Sequence, residues 1–227
     1  MAPRDLRTRL SKRAAKANVF LPSELADQLL AYYDLLARWN QKINLTALTN
    51  ADEAIDRLLL EPVIAVRHLP DGVSALRHMD VGSGGGSPAI PMKLAVPGMR
   101  LTMVEVKARK AAFLREAVRR LELSDTTVET SRYEELLARP ELLESFDAVG
   151  VRAVRIETRV LSTLQAFLRV GGTILLFRGP SGPDLPDTVV PPLHWAGTYS
   201  LVETLQSRVT LLTKRGVGPA ANVPRGT

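Results

Sequence analysis

Between positions 23 and 39, apolar side chains return every three or four residues, at Leu25, Leu29, Tyr32, Leu36 and Trp39. That spacing makes one face of an amphipathic helix, with Ser23 placed to cap it. A second helical pattern runs from Asp52 to about Leu60. Pro62 follows it and has no backbone donor, so a break or a fresh helix start is expected there. Then the period changes. An apolar run over 75–81 stops at Gly82, Gly84, Gly85 and Gly86, and an amphipathic pattern resumes at Ala89. Downstream, strand-like stretches at 100–104, 127–130, 146–151 and 172–177 alternate with helical ones at 108–121, 132–135 and 157–168. Such alternation predicts a doubly wound, mostly parallel α/β sheet. Residues 179–192 are rich in proline and glycine and predict a loop, and 195–202 with 208–213 predict a closing antiparallel pair. Seven strands are expected in all. The chain therefore divides into an N-terminal helical extension (1–70), a sheet domain (71–215) and a patternless tail (216–227) expected to be disordered.

The turn at 82–86 is the part with chemistry. Glycine tolerates positive φ and carries no Cβ, so backbone can approach a ligand closely. A dinucleotide fingerprint would need glycines at 82, 84 and 87, but position 87 is Ser87. A nicotinamide-dependent oxidoreductase is disfavoured on that ground. Asp80-x-Gly82-x-Gly84-x-Gly86 is a different pattern, and Glu105 closes the next strand about 20 residues past the turn, where a ribose-binding carboxylate belongs. A carboxylate there accepts both ribose hydroxyls. The plainer alternatives are a flexible loop and a surface glutamate, and the register of loop, strand and acid favours a nucleoside-containing cofactor.

Composition narrows the chemistry further. The chain has 30 Lys plus Arg against 24 Asp plus Glu, a formal net charge of +6, which favours a polyanionic partner. Basic residues crowd the first 16 positions (Arg4, Arg7, Arg9, Lys12, Arg13, Lys16), where a solvated tail is expected, with an RNA-contacting arm as the alternative. There is no cysteine, which excludes disulfides, thiolate metal sites and a cysteine nucleophile. His68, His78 and His194 lie apart without metal-ligand spacing and are expected to be structural, so no metal is expected. No apolar run of about 18 residues appears, and no h-region follows the basic start. A cytoplasmic protein, without membrane partner, is the simple expectation.

Taken together, Trp39-Asn40…Asn44-Leu45-Thr46, Asp80-Val81-Gly82-Ser83-Gly84…Pro88…Ile90-Pro91, Phe146-Asp147…Arg152-Ala153 and Arg208…Lys214 resemble the RsmG family, also called GidB, over about residues 21–215. That resemblance implies a Rossmann-like class I methyltransferase that uses S-adenosylmethionine. It implies methylation of N7 of a guanosine in 16S ribosomal RNA, with the small ribosomal subunit as partner and a monomer expected. It assigns Gly82, Gly84, Gly86, Ser87, Glu105, Tyr133, Glu134 and Arg152 to the cofactor and Arg178, Arg208 and Lys214 to the RNA, and names no catalytic acid or base. None is needed, since N7 carries a lone pair and no proton. The chain departs from the family pattern at Leu58, Glu61, Pro62, Ser87 and Val151, where histidine, aspartate, serine, phenylalanine and serine are usual, and at Arg178, where lysine is usual. Those departures motivate an alternative, a non-catalytic RNA-binding or ribosome-assembly protein on the same fold.

Overall fold

The computed structural model describes residues 3–70, 75–152, 156–180 and 189–216. The boundary expected at 71, Ala153, most of the proline-rich loop and the tail from 217 lie outside these residues. Seven strands, β1 (Arg77–Val81), β2 (Arg100–Val104), β3 (Thr126–Glu129), β4 (Phe146–Arg152), β5 (Leu168–Arg178), β6 (Leu193–Ser200) and β7 (Arg208–Lys214), form one sheet in the order β3-β2-β1-β4-β5-β7-β6. The first five pair in parallel, while β7 runs antiparallel between β5 and β6. The central strands are covered on both faces, which is why 146–151 is an unbroken buried run. β5 starts at Leu168, four residues earlier than its apolar stretch suggests, and absorbs the excess in a register shift against β4.

Helices pack on both faces. The N-terminal helices α1 (Pro3–Lys16) and α2 (Ser23–Asn40), with α5 (Ala89–Ala95) and α6 (Ala108–Arg120), share one buried cluster on the first face. α7 (Thr158–Phe167) covers the other. The extension and the sheet therefore share a core. Strand order reverses between β1 and β4, and in such sheets ligands bind beyond the carboxyl ends of the strands at that reversal.

Three local expectations change. The basic first segment is a packed helix, with Leu10 fully buried and Ala14 nearly so. Part of its polar face is paired: Arg9 with Asp52, and Arg13 with Asp52 and the buried Asp56, while Lys12 and Lys16 stay exposed. The segment is a docked helix and not a solvated tail. Ser23 is the first residue of α2 rather than its cap, and its hydroxyl accepts from Arg7 Nη2 at 2.9 Å.

The third change is at Pro62, where the helix does not break. α3 (Ala51–Ile55) passes through a wide π turn (Asp56–Leu60) into α4 (Glu61–Ala65). Within that turn the Glu61 N–H reaches back to the carbonyl of Asp56. The next donor would be Pro62, which has none. The carbonyls of Arg57 and Leu58 in this turn accept side chains from elsewhere.

Candidate active site

The glycine turn follows β1 directly. Gly82, Gly84 and Gly86 hold φ of 76°, 53° and 85°, a region costly for other residues. At Gly86 a Cβ would also meet Ile90 Cδ1 at 2.5 Å, so both conformation and space demand glycine. Glu105, one residue past β2, is 6% exposed and sits under this turn. Its Oε2 accepts the Gly84 N–H at 2.9 Å, and its Oε1 accepts the Lys107 N–H at 2.8 Å. Two backbone donors lock the carboxylate while each oxygen keeps acceptor capacity.

Beside it lies a cavity of about 190 Å³ bounded by Gly82, Glu105, Ser131, Tyr133 and Glu134 among others. Burial raises the Tyr133 pKa, with Glu134 adding to the effect. Ser131 belongs to this wall although its sequence position did not single it out, and its buried Oγ has no partner among the described residues. The signal was available: it stands two residues past β3, at the same carboxyl edge as Glu105.

Behind the turn, the Trp39-to-Thr46 segment acts as a buttress. Asn40 Oδ1 accepts the N–H groups of Leu45 and Thr46 at 2.8 and 2.9 Å, and Trp39 packs edge-on to Phe113. Tyr32 of α2 donates its hydroxyl to the Gly85 carbonyl at 2.6 Å. Asp80 is buried beneath, and burial raises its pKa to about 6. On the same strand His78 is fully buried against Gly150, and burial lowers its pKa to about 4.

Arg152 ends β4 and is held on several sides. Nη1 donates to the Arg57 carbonyl and to Ser87 Oγ, both at 3.0 Å, and Nη2 donates to Glu61 Oε1 at 2.7 Å. Its guanidinium lies 4.9 Å from the centre of the Phe177 ring. Ser87 in turn donates to the Leu58 carbonyl at 3.0 Å. Four of the six positions where the chain departs from the family pattern, Leu58, Glu61, Pro62 and Ser87, thus lie at one place around Arg152.

Arg178 and Arg208 face each other in register where β5 ends and β7 begins, and Arg208 Nη2 donates to the Pro180 carbonyl at 3.3 Å. Lys214 does not join them. β7 runs antiparallel, so six residues at about 3.3 Å each carry Lys214 to the opposite edge, on the order of 20 Å away. There its ammonium is buried and donates to Glu144 Oε1 at 2.7 Å and to the carbonyls of Gln165 and Leu168. Its assignment to the RNA is withdrawn, because a lysine so held has no donor to offer a ligand.

The family model described as GidB, rRNA small subunit methyltransferase G, matches residues 25–185. The chain belongs to the GidB family. Among curated relatives, the Ribosomal RNA small subunit methyltransferase G of Carboxydothermus hydrogenoformans is 41% identical over 152 residues, 66% of this chain and 63% of that protein. The protein of the same name from Acetivibrio thermocellus is 32% identical over 81% of this chain and 75% of its own length. The matches thus span about two thirds to three quarters of these relatives. Among solved structures, an S-adenosylmethionine-dependent methyltransferase from Aquifex aeolicus superposes with a TM-score of 0.53 at 12% identity, over 78% of this chain and 97% of that one. A mutant of MtNAS in complex with S-adenosylmethionine gives 0.54 at 15% identity, over 94% and 97%. At such identities the likeness shows the α/β fold alone.

Proposed function

We propose that this GidB-family chain transfers a methyl group from S-adenosylmethionine to N7 of a guanosine in 16S ribosomal RNA. The observation that carries the reading is the Glu105 carboxylate, locked beneath the glycine turn and bounding a cavity with Ser131 and Tyr133. The fit is chemical. Gly82 presents bare backbone, Glu105 offers acceptors to two ribose hydroxyls, and the unpartnered Ser131 hydroxyl and the Tyr133 ring suit a flat heterocycle. The bound donor supplies an activated methyl on a sulfonium.

The remaining work for these residues is to hold, align and exclude water. No acid or base is required, since N7 brings its own lone pair. Arg178 and Arg208, on the rim beyond the carboxyl edge, are placed for RNA phosphates. Relatives named as methyltransferases favour the enzymatic reading over a non-catalytic RNA-binding one. A monomer acting on 16S ribosomal RNA or the small subunit in the cytoplasm completes the proposal. It is tested by mapping N7-methylguanosine in ribosomal RNA with and without this gene. Loss of one such site on deletion is expected, and an unchanged map would overturn the reading.

A further inference from the structure

Arg152 is a part-buried cation at the carboxyl edge, and Glu61, reaching it from another part of the chain, is the carboxylate hydrogen-bonded to it. The two meet beside Pro62, where the helix lacks a backbone donor. The Arg57 carbonyl takes Arg152 Nη1, the Leu58 carbonyl takes Ser87 Oγ, and Glu61, 1% exposed, turns inward three residues further on. The Arg152 guanidinium is thus held between the wide turn of the N-terminal helix and Ser87, one residue past the glycine turn. Burial drives the Arg152 pKa down, with the Arg57 charge adding to it, and Glu61 opposes both. Asp80 and Tyr32 lie close enough to interact with Arg152 electrostatically, and Arg57 stands 3.7 Å from Glu61 Oε2.

We propose that Glu61 is a positioning residue that balances the charge of Arg152 beside the glycine turn, and thereby sets how strongly the site prefers a cationic methyl donor over its neutral product. The inference rests on the proposed function, because S-adenosylmethionine and S-adenosylhomocysteine differ at the sulfonium: one is positively charged there, the other neutral. With Glu61 in place the buried cluster offers Asp80, Glu105 and Glu61 against Arg152 and Arg57. Removing the Glu61 charge takes away the carboxylate hydrogen-bonded to Arg152 and leaves Asp80 to oppose it from further off. Over distances on the order of 10 Å at an effective dielectric near 20, one unit charge changes the affinity of a cation by about tenfold. A neutral ligand of the same shape feels almost none of that. A residue that only braced the fold would weaken both ligands alike.

The test is titration calorimetry of S-adenosylmethionine and S-adenosylhomocysteine on the full chain, on Glu61→Gln and on Lys214→Met. Lys214→Met is a lesion of a buried charge at the opposite edge. The ratio of the two affinities should shift by about tenfold toward S-adenosylhomocysteine in Glu61→Gln and stay unchanged in Lys214→Met. Glu61→Asp, which keeps the charge, should keep most of the ratio. Equal weakening of both ligands by Glu61→Gln, or no weakening, overturns the proposal. Should Glu61→Gln fail to fold, Arg152→Met reads the same balance from the other side. It should move the ratio toward S-adenosylmethionine, and an unmoved ratio there is equally fatal. If the unaltered chain binds neither ligand, the proposed function itself falls, an outcome distinct from a changed or unchanged ratio.

Discussion

The two edges of the sheet use their buried polar groups differently. At the amino edge, each buried charge is closed off. Lys214 donates to three oxygens, and Asp147 accepts the Arg77 N–H at 2.7 Å and the Arg169 guanidinium. At the carboxyl edge Asp80 Oδ2, Glu61 Oε2, Arg152 Nε and Ser131 Oγ are buried with no hydrogen-bond partner among the described residues, whereas toward the amino edge that holds for the ring nitrogens of the uncharged His78. A buried polar atom without a partner costs about 1–3 kcal/mol, so a fold built for stability alone would close these as well. The difference separates an edge that holds the sheet together from one kept open to chemistry.

Substitutions at the open edge should therefore impair turnover more than folding. The largest effect is expected for Arg152→Lys. It keeps the charge but cannot reproduce donation to the Arg57 carbonyl, Ser87 and Glu61 at once. Turnover at saturating donor and RNA should fall about 100-fold, the scale of a misplacement near 1 Å. Single-turnover methyl transfer by the folded variant checks it, and full activity would return Arg152 to the structural class. Glu105→Ala should weaken donor binding by at least about tenfold, from the loss of a charged hydrogen bond worth about 1.5–3 kcal/mol. Calorimetry decides the point.

Lys214→Met should do the reverse. It should lower unfolding stability by about 1–3 kcal/mol while leaving donor affinity where it was, measured by urea denaturation beside the same calorimetry. A change of affinity would erase the distinction between the edges.

Asp80 offers a sharper, pH-dependent version. Its folded pKa is raised to about 6 from a reference of 3.8. The folded state therefore holds a proton that the unfolded chain releases, so the Asp80 contribution to stability falls as pH rises from about 4 to about 6. His78 works oppositely. Its pKa is lowered to about 4, so its contribution is lost as pH falls from about 6.5 toward 4. Asp80→Asn isolates the first: relative to the native chain it should gain about 1–3 kcal/mol between pH 4 and pH 7. A difference flat across that range would refute a raised Asp80.

The smallest effect is expected at the rim. Arg178→Gln should reduce the slope of log RNA affinity against log salt by about one. Arg13→Gln, whose guanidinium is paired with Asp52 and Asp56, should leave the slope unchanged.

What the sequence by itself determined is what neighbours along the chain decide. Alternation of strand and helix, the glycine turn and the acid about 20 residues on are local or nearly so, and β1, β2 and the turn fold as their spacing implies. The antiparallel close of β6 and β7 was legible for the same reason. Leu10 and Ala14 were misread because six basic residues outweighed a thin apolar stripe, and only the acidic partners on α3 and the wide turn show where that charge goes. Lys214 was misplaced because one antiparallel strand puts its two ends on opposite edges, which no motif spacing records. Pro62 looked like a break because its missing donor is visible in sequence, whereas the side chains that donate to the carbonyls of this turn come from 29 and 95 residues away. The seat of Arg152 was decided in tertiary structure alone. Its partners at Glu61 and Ser87 lie 91 and 65 positions away, and a guanidinium chooses among acceptors by geometry after the chain has closed.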